Sequence, residues 1–490
     1  MTLNRIARWL AFGLVTGAAW VAFCAPAEAI PLFARQTGHN CQACHISYPE
    51  LTAYGREFKL NGYTFGEGQK VPLAVAFMAE YAHIGDNTNH ADGSTVCPSC
   101  DKSELVQWSI FYGGKLTENL GMFGQYTFVG APFDAYSDSW TGAEDNTEVR
   151  YVHRFSSGSG TLEPDTVVGI DVNNNMTMED VWNAGAGAWR FPWFPYGAGT
   201  HPQAGFGPVA ATYLDDGNAQ GTAGAQREVG IGAYMWWHKT IYAELSFYRQ
   251  PWGMFSWLVN GSNAQFNSLG APNDTPSDII DGWAPYLRLA YSHDWGYNSF
   301  EVGFLGIDAK SFFCNPTSGS VCVGATGATD HYRDYEFDAQ YQYNKGEPWV
   351  FSAAASYTHE SRDQTPFVNA VNYGLPAPLA SNSSLTVNEL NMRGTLYYER
   401  KYGVTLSYNQ YTGTSDPILY GQGAPGGSAT GSPTTNWWIL ELNYLPLQDL
   451  RFSLAYFDYT KLNGGSSNFD GFGNNASGQN MFYVALWWAF

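Results

Sequence analysis

Cys41-Gln42-Ala43-Cys44-His45 is the stretch of this 490-residue chain whose residue types and spacing suit redox chemistry. Two thiols three positions apart can each form a thioether to one edge of a haem, and the adjacent His45 then falls under the iron as axial ligand. A CxxC pair alone also suits a redox dithiol or half of a zinc site. The histidine directly after it, and an export signal just before it, favour one covalent haem c. The second axial position is open, and methionine there raises the potential relative to a second histidine, which suits a centre that accepts electrons. Met78 is the first candidate, because strand parity turns it toward the lumen of the barrel argued below. His39 is the weaker alternative, tethered near the proximal side. Met176 and Met178 sit beside an Asn173-Asn174-Asn175 run that could fold inward, whereas Met122, Met235 and Met392 fall on the outward parity.

The elements that must hold this motif are legible in order. Arg5 and Arg8 precede an apolar run from Trp9 to Phe23, and Ala27-Glu28-Ala29 forms a small-x-small cleavage site, so residues 1–29 read as a signal peptide. Cys24 leaves with that peptide, and the bulky Phe23 before it argues against a lipid anchor. Beyond it no run of eighteen apolar residues occurs, so a membrane-spanning form must be a closed barrel. Residues 30–70 carry the haem motif but are too few to enclose a haem alone. The barrel, residues 71–490, must help bury it.

Alternation defines that barrel. In Leu73-Val75-Phe77-Ala79-Tyr81 the odd positions are apolar, while Met78 and Glu80 take the other face. The same period recurs through Trp438-Leu440-Leu442-Tyr444 and the last strand, Phe482-Val484-Leu486-Trp488-Phe490, whose aromatic end is typical of outer-membrane barrels. Charges such as Glu244, Glu336, Asp338 and Glu441 fall on the opposite parity. Because a charge facing lipid near the midplane costs about 2–4 kcal/mol, that parity marks the lumen. Short turns at His238-Lys239, Trp295-Gly296, Asn344–Glu347 and Arg400-Lys401 alternate with long segments near 85–103, 131–146, 174–226, 250–282, 309–330, 361–385, 413–435 and 461–479. The expected fold is all-β: an outer-membrane antiparallel β-barrel of about 16 strands, with a short, mostly helical N-terminal haem plug entering from the periplasmic, short-turn side. A soluble β-sandwich also alternates, but it has no need of so much outward aromatic surface.

Composition narrows the partners. Charged residues make up 14% of the chain, below the roughly 25% of soluble domains, and aromatics 16%. With 44 Asp plus Glu against 24 Lys plus Arg, nucleic acid is excluded as a partner, since its phosphates require cations. Cys97 and Cys100 in the first long loop and Cys314 and Cys322 in the fifth read as two disulfides, with one four-thiolate metal site joining the loops as the alternative. Asp134, Asp138, Glu144 and Asp145 make the second long loop acidic, a weak candidate contact for a hard cation.

One segment resembles a known family. Pro31-Leu32-Phe33-Ala34-Arg35-Gln36-Thr37-Gly38, then the Cys41–His45 motif, Pro49-Glu50-Leu51, Gly55-Arg56, Phe58-Lys59 and Gly62-Tyr63 resemble the fused monohaem cytochrome-porins, the outer-membrane cytochromes of iron-oxidising bacteria. The low charge density is nearer the acidophile branch. The match covers about residues 31–65; the remainder is similar only in barrel pattern and length. The resemblance implies Fe(II):cytochrome c oxidoreductase activity: extracellular Fe(II) is oxidised, and its electron passes inward to a periplasmic cytochrome c or copper protein. A diffusion porin with a haem-bearing gate, or a conduit for another extracellular redox partner, is the alternative.

Overall fold

In this computed structural model, residues 31–68, 71–84, 101–129, 141–156, 164–185, 206–215, 228–250, 258, 279–312, 329–346, 348–365 and 382–490 are described. Residues 1–29, read above as a signal peptide, and Cys97, Cys100, Cys314 and Cys322 lie outside them, as do Asp134 and Asp138.

The N-terminal segment comprises α1 (Leu32–Thr37), α2 (Cys41–Cys44), a two-stranded ribbon of β1 (His45–Ser47) and β2 (Glu50–Leu51), and α3 (Ala53–Leu60). The wall follows: β3 (Leu73–Ile84), β4 (Asp101–Lys115), β5 (Leu120–Val129), β6 (Thr141–Phe155), β7 (Thr166–Asn173), β8 (Val229–Trp237) and β9 (Ile241–Arg249). It continues with β10 (Ile279–Ile280), β11 (Ala284–Trp295), β12 (Asn298–Phe312), β13 (Asp330–Asn344), β14 (Trp349–Asp363) and β15 (Ser384–Tyr398). The last four strands are β16 (Tyr402–Gly413), β17 (Thr435–Leu447), β18 (Leu450–Lys461) and β19 (Met481–Ala489). β10 is a two-residue piece paired with β12 beside β11; the other sixteen form one antiparallel ring. Closure occurs where β19 meets β3, with Val484 opposite Tyr81. A closed ring leaves no unpaired edge, the condition for a sheet in lipid.

Parity holds strand by strand. On β17, Trp438, Leu440, Leu442 and Tyr444 point outward while Glu441 between them is buried. On β13, Phe337 is 63% exposed and its neighbour Glu336 0%. The outer face is therefore an apolar, aromatic belt fit for lipid, and the ionisable groups face in. The short turns fall where the sequence places them, with two one-residue shifts: the β11–β12 turn is Gly296-Tyr297 rather than Trp295-Gly296, because Trp295 still pairs with Asn298, and the β15–β16 turn is Glu399-Arg400, at φ 52° and 53°, rather than Arg400-Lys401. His238 and Lys239 likewise have φ 49° and 54°, the double left-handed geometry that matches hairpin twist.

Two further expectations need correction. Glu144 and Asp145 belong to β6, not to an acidic loop: Glu144 accepts from the Tyr112 and Thr147 hydroxyls, and Asp145 from Thr127 Oγ1 at 2.7 Å. The segment after β7 does not simply leave the barrel as an external loop. Residues 174–185 and 206–215 cross its interior, where Lys59 Nζ donates to Met178 O at 2.5 Å, Leu51 N to Asn183 Oδ1 at 3.2 Å and Leu214 N to Asp334 Oδ2 at 3.0 Å. The reason is apolar: Val181 and Trp182 are buried with Leu60 of α3 and with Val152, Val167 and Tyr242 of the wall. Fully burying such side chains contributes about 1.5–3 kcal/mol each, and a short lumenal plug alone does not cover them.

Candidate functional site

The Cys41–His45 segment lies inside the short-turn mouth of the barrel. Asn40 starts α2, its Oδ1 accepting from Ala43 N at 3.0 Å, and this single turn sets Cys41 and Cys44 on one side. Thr52 clamps the turn onto α3. Its N–H donates to Cys44 O at 2.9 Å, its hydroxyl donates to Ala43 O at 2.5 Å, and the same oxygen caps α3 by accepting from Gly55 N at 3.1 Å. Gly55 makes the approach possible, since a Cβ there would stand 2.3 Å from Cys44 O. From the wall, Arg400 Nη1 donates to Gln42 O at 3.0 Å and Arg451 Nη1 to Tyr48 O at 2.8 Å.

The residues of the family-like segment fix the plug to the barrel. Arg56 donates to Leu51 O at 3.0 Å, Gln342 Oε1 at 2.9 Å and Ser299 Oγ, with Asp294 3.6 Å away. Burial pulls its pKa down against the attraction of Asp294, Glu301, Glu50 and Asp180. Glu50 accepts from Gln342 Nε2 at 2.9 Å and from Ser352. Phe33 stacks on Tyr63 and Phe58 meets both rings edge-on, with centroids 5.0–5.6 Å apart, and the Tyr63 hydroxyl donates to Glu148.

Between plug and wall lies a cavity of about 200 Å³ that opens to solvent on one side. Cys41, Cys44 and His45 line it with Phe33, Phe58, Tyr63, Phe111 and Phe123, against Met178, Val181 and Trp487. Its walls are mainly apolar. His45 Nδ1 lies 3.3 Å from Pro49 O, and since a carbonyl only accepts, that nitrogen carries the proton and Nε2 keeps its lone pair. Burial lowers the imidazole pKa to about 4, against the Pro49 and Glu50 backbone, so the ring is neutral. Burial also raises the Cys41 thiol, and raises Cys44 to about 12 with a further push from Cys41. Redox dithiols depend on the opposite shift, a stabilised thiolate. Nor do Cys41, Cys44 and His45 form a cage: among the described residues, the ligand-capable side chains that converge on one point are Asp171, Glu179 and Glu244.

No family model and no curated protein matches the chain. Among solved structures it is similar to the anion-selective porin from Comamonas acidovorans, at 12% identity over 85% of this chain and 98% of that one, TM-score 0.42. It is also similar to Salmonella typhi OmpF in complex with daunomycin, at 11% identity over 85% and 97%, TM-score 0.44. The outer membrane channel DcaP of Acinetobacter baumannii, at 11% identity over 85% and 96%, has a TM-score of 0.41. The chain is a porin-like β-barrel of the outer-membrane kind by its own geometry, an even, closed antiparallel ring with an apolar outer face.

The sequence candidates for a second ligand separate in space. Met78 faces inward and is buried, as parity predicts, and lies opposite Trp487 on β19, but it is not part of the cavity wall. Met178 is on that wall and 3% exposed. His39 reaches the cavity from an exposed position, edge-on to Tyr54 at 5.1 Å. Met176 is buried elsewhere, with Tyr213 and Tyr248, and Met235 and Met392 face outward at 40% and 44% exposure. The Asp171, Glu179 and Glu244 group was not singled out from the sequence. Only the inward fold of residues 174–185 brings Glu179 to β7 and β9, and no local spacing encodes it.

Proposed function

We propose that this chain is an outer-membrane electron conduit carrying one covalent haem c, which oxidises extracellular Fe(II) and passes electrons to a periplasmic cytochrome c or copper protein. The observation that carries the reading is the shared cavity: Cys41, Cys44 and a neutral His45 with Nε2 available, facing an apolar space between plug and barrel wall. The donor set fits: Cys41 and Cys44 would carry the thioethers, and His45 with Met178, already on the wall where Met78 is not, would hold the iron. A c-type haem supplies one-electron exchange.

The chain's own residues supply the rest. Thr52, Asn40 and Arg400 fix the backbone that presents the two cysteines, and Pro49 O fixes the His45 tautomer. Phe33, Phe58, Phe111 and Phe123 exclude water, which favours the less charged state and so a high potential. Each Fe(II) becomes Fe(III) as one electron leaves, and an oxidised periplasmic carrier takes it up. The outward aromatic belt is the contact with membrane lipid.

Purified full-length protein tests this directly. A haem stain should persist after denaturing electrophoresis, anaerobic Fe(II) in acid should reduce the haem, and added periplasmic carrier should reoxidise it. Covalent haem whose spectrum ignores Fe(II) would sink the iron assignment. The second reading, a diffusion porin gated by the plug, draws on ring size, because sixteen-stranded barrels are wide enough for an aqueous channel.

A further inference from the structure

Asp171 on β7, Glu179 in the crossing segment and Glu244 on β9 each bring a carboxylate oxygen within 4.8 Å of the other two. All three are buried, at 1%, 0% and 2% exposure. Their partners are short-range and incomplete. Asn173 Nδ2 donates to Asp171 Oδ2 at 2.8 Å and to Glu179 Oε1 at 3.0 Å, and the Tyr242 hydroxyl donates to Glu244 Oε2 at 2.8 Å. Ser246 Oγ donates to Glu244 Oε1 at 2.5 Å. Asp171 Oδ1 has no partner, and neither does the hydroxyl of Tyr248, 0% exposed and in the field of all three carboxylates.

Charge counting indicates what is missing. Arg150 is shared between Glu179 at 2.6 Å and Glu148 at 2.8 Å, and Lys59 stands 3.3 Å from Glu148. Four carboxylates against two cations leave two negative charges buried without compensation. Isolated buried charges are costly, so two protons or one divalent cation must neutralise them. β8 approaches this group with a bare backbone: a Cβ on Gly232 would sit 2.0 Å from Ser246 Oγ and 2.7 Å from Asp171 Oδ1, so a side chain there would displace the oxygens of the cluster.

We propose that Asp171, Glu179 and Glu244 form a divalent-cation site inside the barrel, with the Tyr248 hydroxyl beside it. All-oxygen ligands of this kind suit hard cations such as Mn(II), and borderline Fe(II) also accepts carboxylates. Resting on the electron-conduit reading, the site receives Fe(II) as the electron donor. Glu179 lies between Met178 and Asp180, both on the wall of the cysteine-lined cavity, so the two sites share one short stretch of backbone.

Mn(II) is the probe, added to the full-length haem-loaded protein near neutral pH and followed by the loss of its free-ion paramagnetic resonance signal. The expected result is one saturable Mn(II) per chain, displaced by anaerobic Fe(II). In Asp171→Asn/Glu244→Gln, binding should weaken about tenfold or more, with haem absorbance and heat-modifiable migration unchanged. No saturable binding in the native protein, or undiminished binding in the variant, overturns the site and leaves protons as the neutralisers. If the double variant fails to fold, native stoichiometry and Glu179→Gln alone decide. Native Mn(II) binding with a haem that Fe(II) cannot reduce keeps the cation site and removes the conduit. Haem reduction by Fe(II) at a rate the variant leaves unchanged keeps the conduit and removes this site as its donor contact.

Discussion

Cys44 is held by its backbone rather than its sulfur: Thr52 N–H reaches its carbonyl at 2.9 Å, and the bare Gly55 lets α3 pack against it. Gly55→Ala forces a Cβ to 2.3 Å from that oxygen and must push α3 and α2 apart, a clash of the overpacking kind that costs about 1–3 kcal/mol. The barrel does not depend on that contact. The variant should keep heat-modifiable migration while its haem content falls and protease trims residues 31–68 faster; unchanged haem content would show that the contact is not needed for attachment. The second ligand separates as cleanly. Met178→Ala should abolish the long-wavelength absorption band of His/Met haem, while Met78→Ala and His39→Ala retain it, and the opposite outcome would return the role to Met78. The placing of Cys41 and Cys44 on one side was readable because it is set within one helical turn. Which methionine stands on the cavity wall was not, because Met178 reaches it only through the path of a segment whose polar Asn173-Asn174-Asn175 run reads as loop.

Strands were readable for the same local reason that helical turns are: a period of two under a lipid penalty leaves little freedom, and Glu441 between Leu440 and Leu442 can point only one way. What the period does not encode is that turn residues also serve the plug. Arg400 adopts φ 53°, a left-handed conformation that costs a non-glycine residue roughly 1–2 kcal/mol, yet its guanidinium spans Gly346 O, Asn344 Oδ1 and Gln42 O. Lys239, at φ 54°, reaches Glu57 of α3 at 2.5 Å. The hairpins thus keep strained residues where their side chains hold the cysteine-bearing segment. Arg400→Gly relieves the strain and releases Gln42. Its barrel should unfold at equal or higher denaturant concentration while residues 31–68 become more protease-sensitive. A variant that lost barrel stability and kept the plug protected would place the benefit in the hairpin instead.

At the scale of the whole molecule, the ring and its contents pull toward different functions, since sixteen strands make a channel and the interior holds two chain segments. The plug is anchored at Arg56, Glu50 and Tyr63, and residues 174–185 and 206–215 are tied to the far wall, Arg288 Nη2 reaching Asp180 at 3.1 Å and the Thr212 hydroxyl Glu389 at 2.9 Å. Arg288–Asp180 is a buried ion pair, and removing one partner of such a pair costs about 3–5 kcal/mol; with the amide and hydroxyl bonds beside it, the interior segments do not swing aside at thermal energies. A gate needs two arrangements close in energy, and this anchoring favours one. The expected outcome in planar bilayers is therefore low single-channel conductance for the native chain, raised several-fold by deleting residues 31–68. If native conductance already equals that of the deletion, solutes pass the plug freely and the gated-porin reading gains what the conduit loses. A low native conductance that Fe(II) does not change would leave the barrel as housing, with electrons the only thing that crosses.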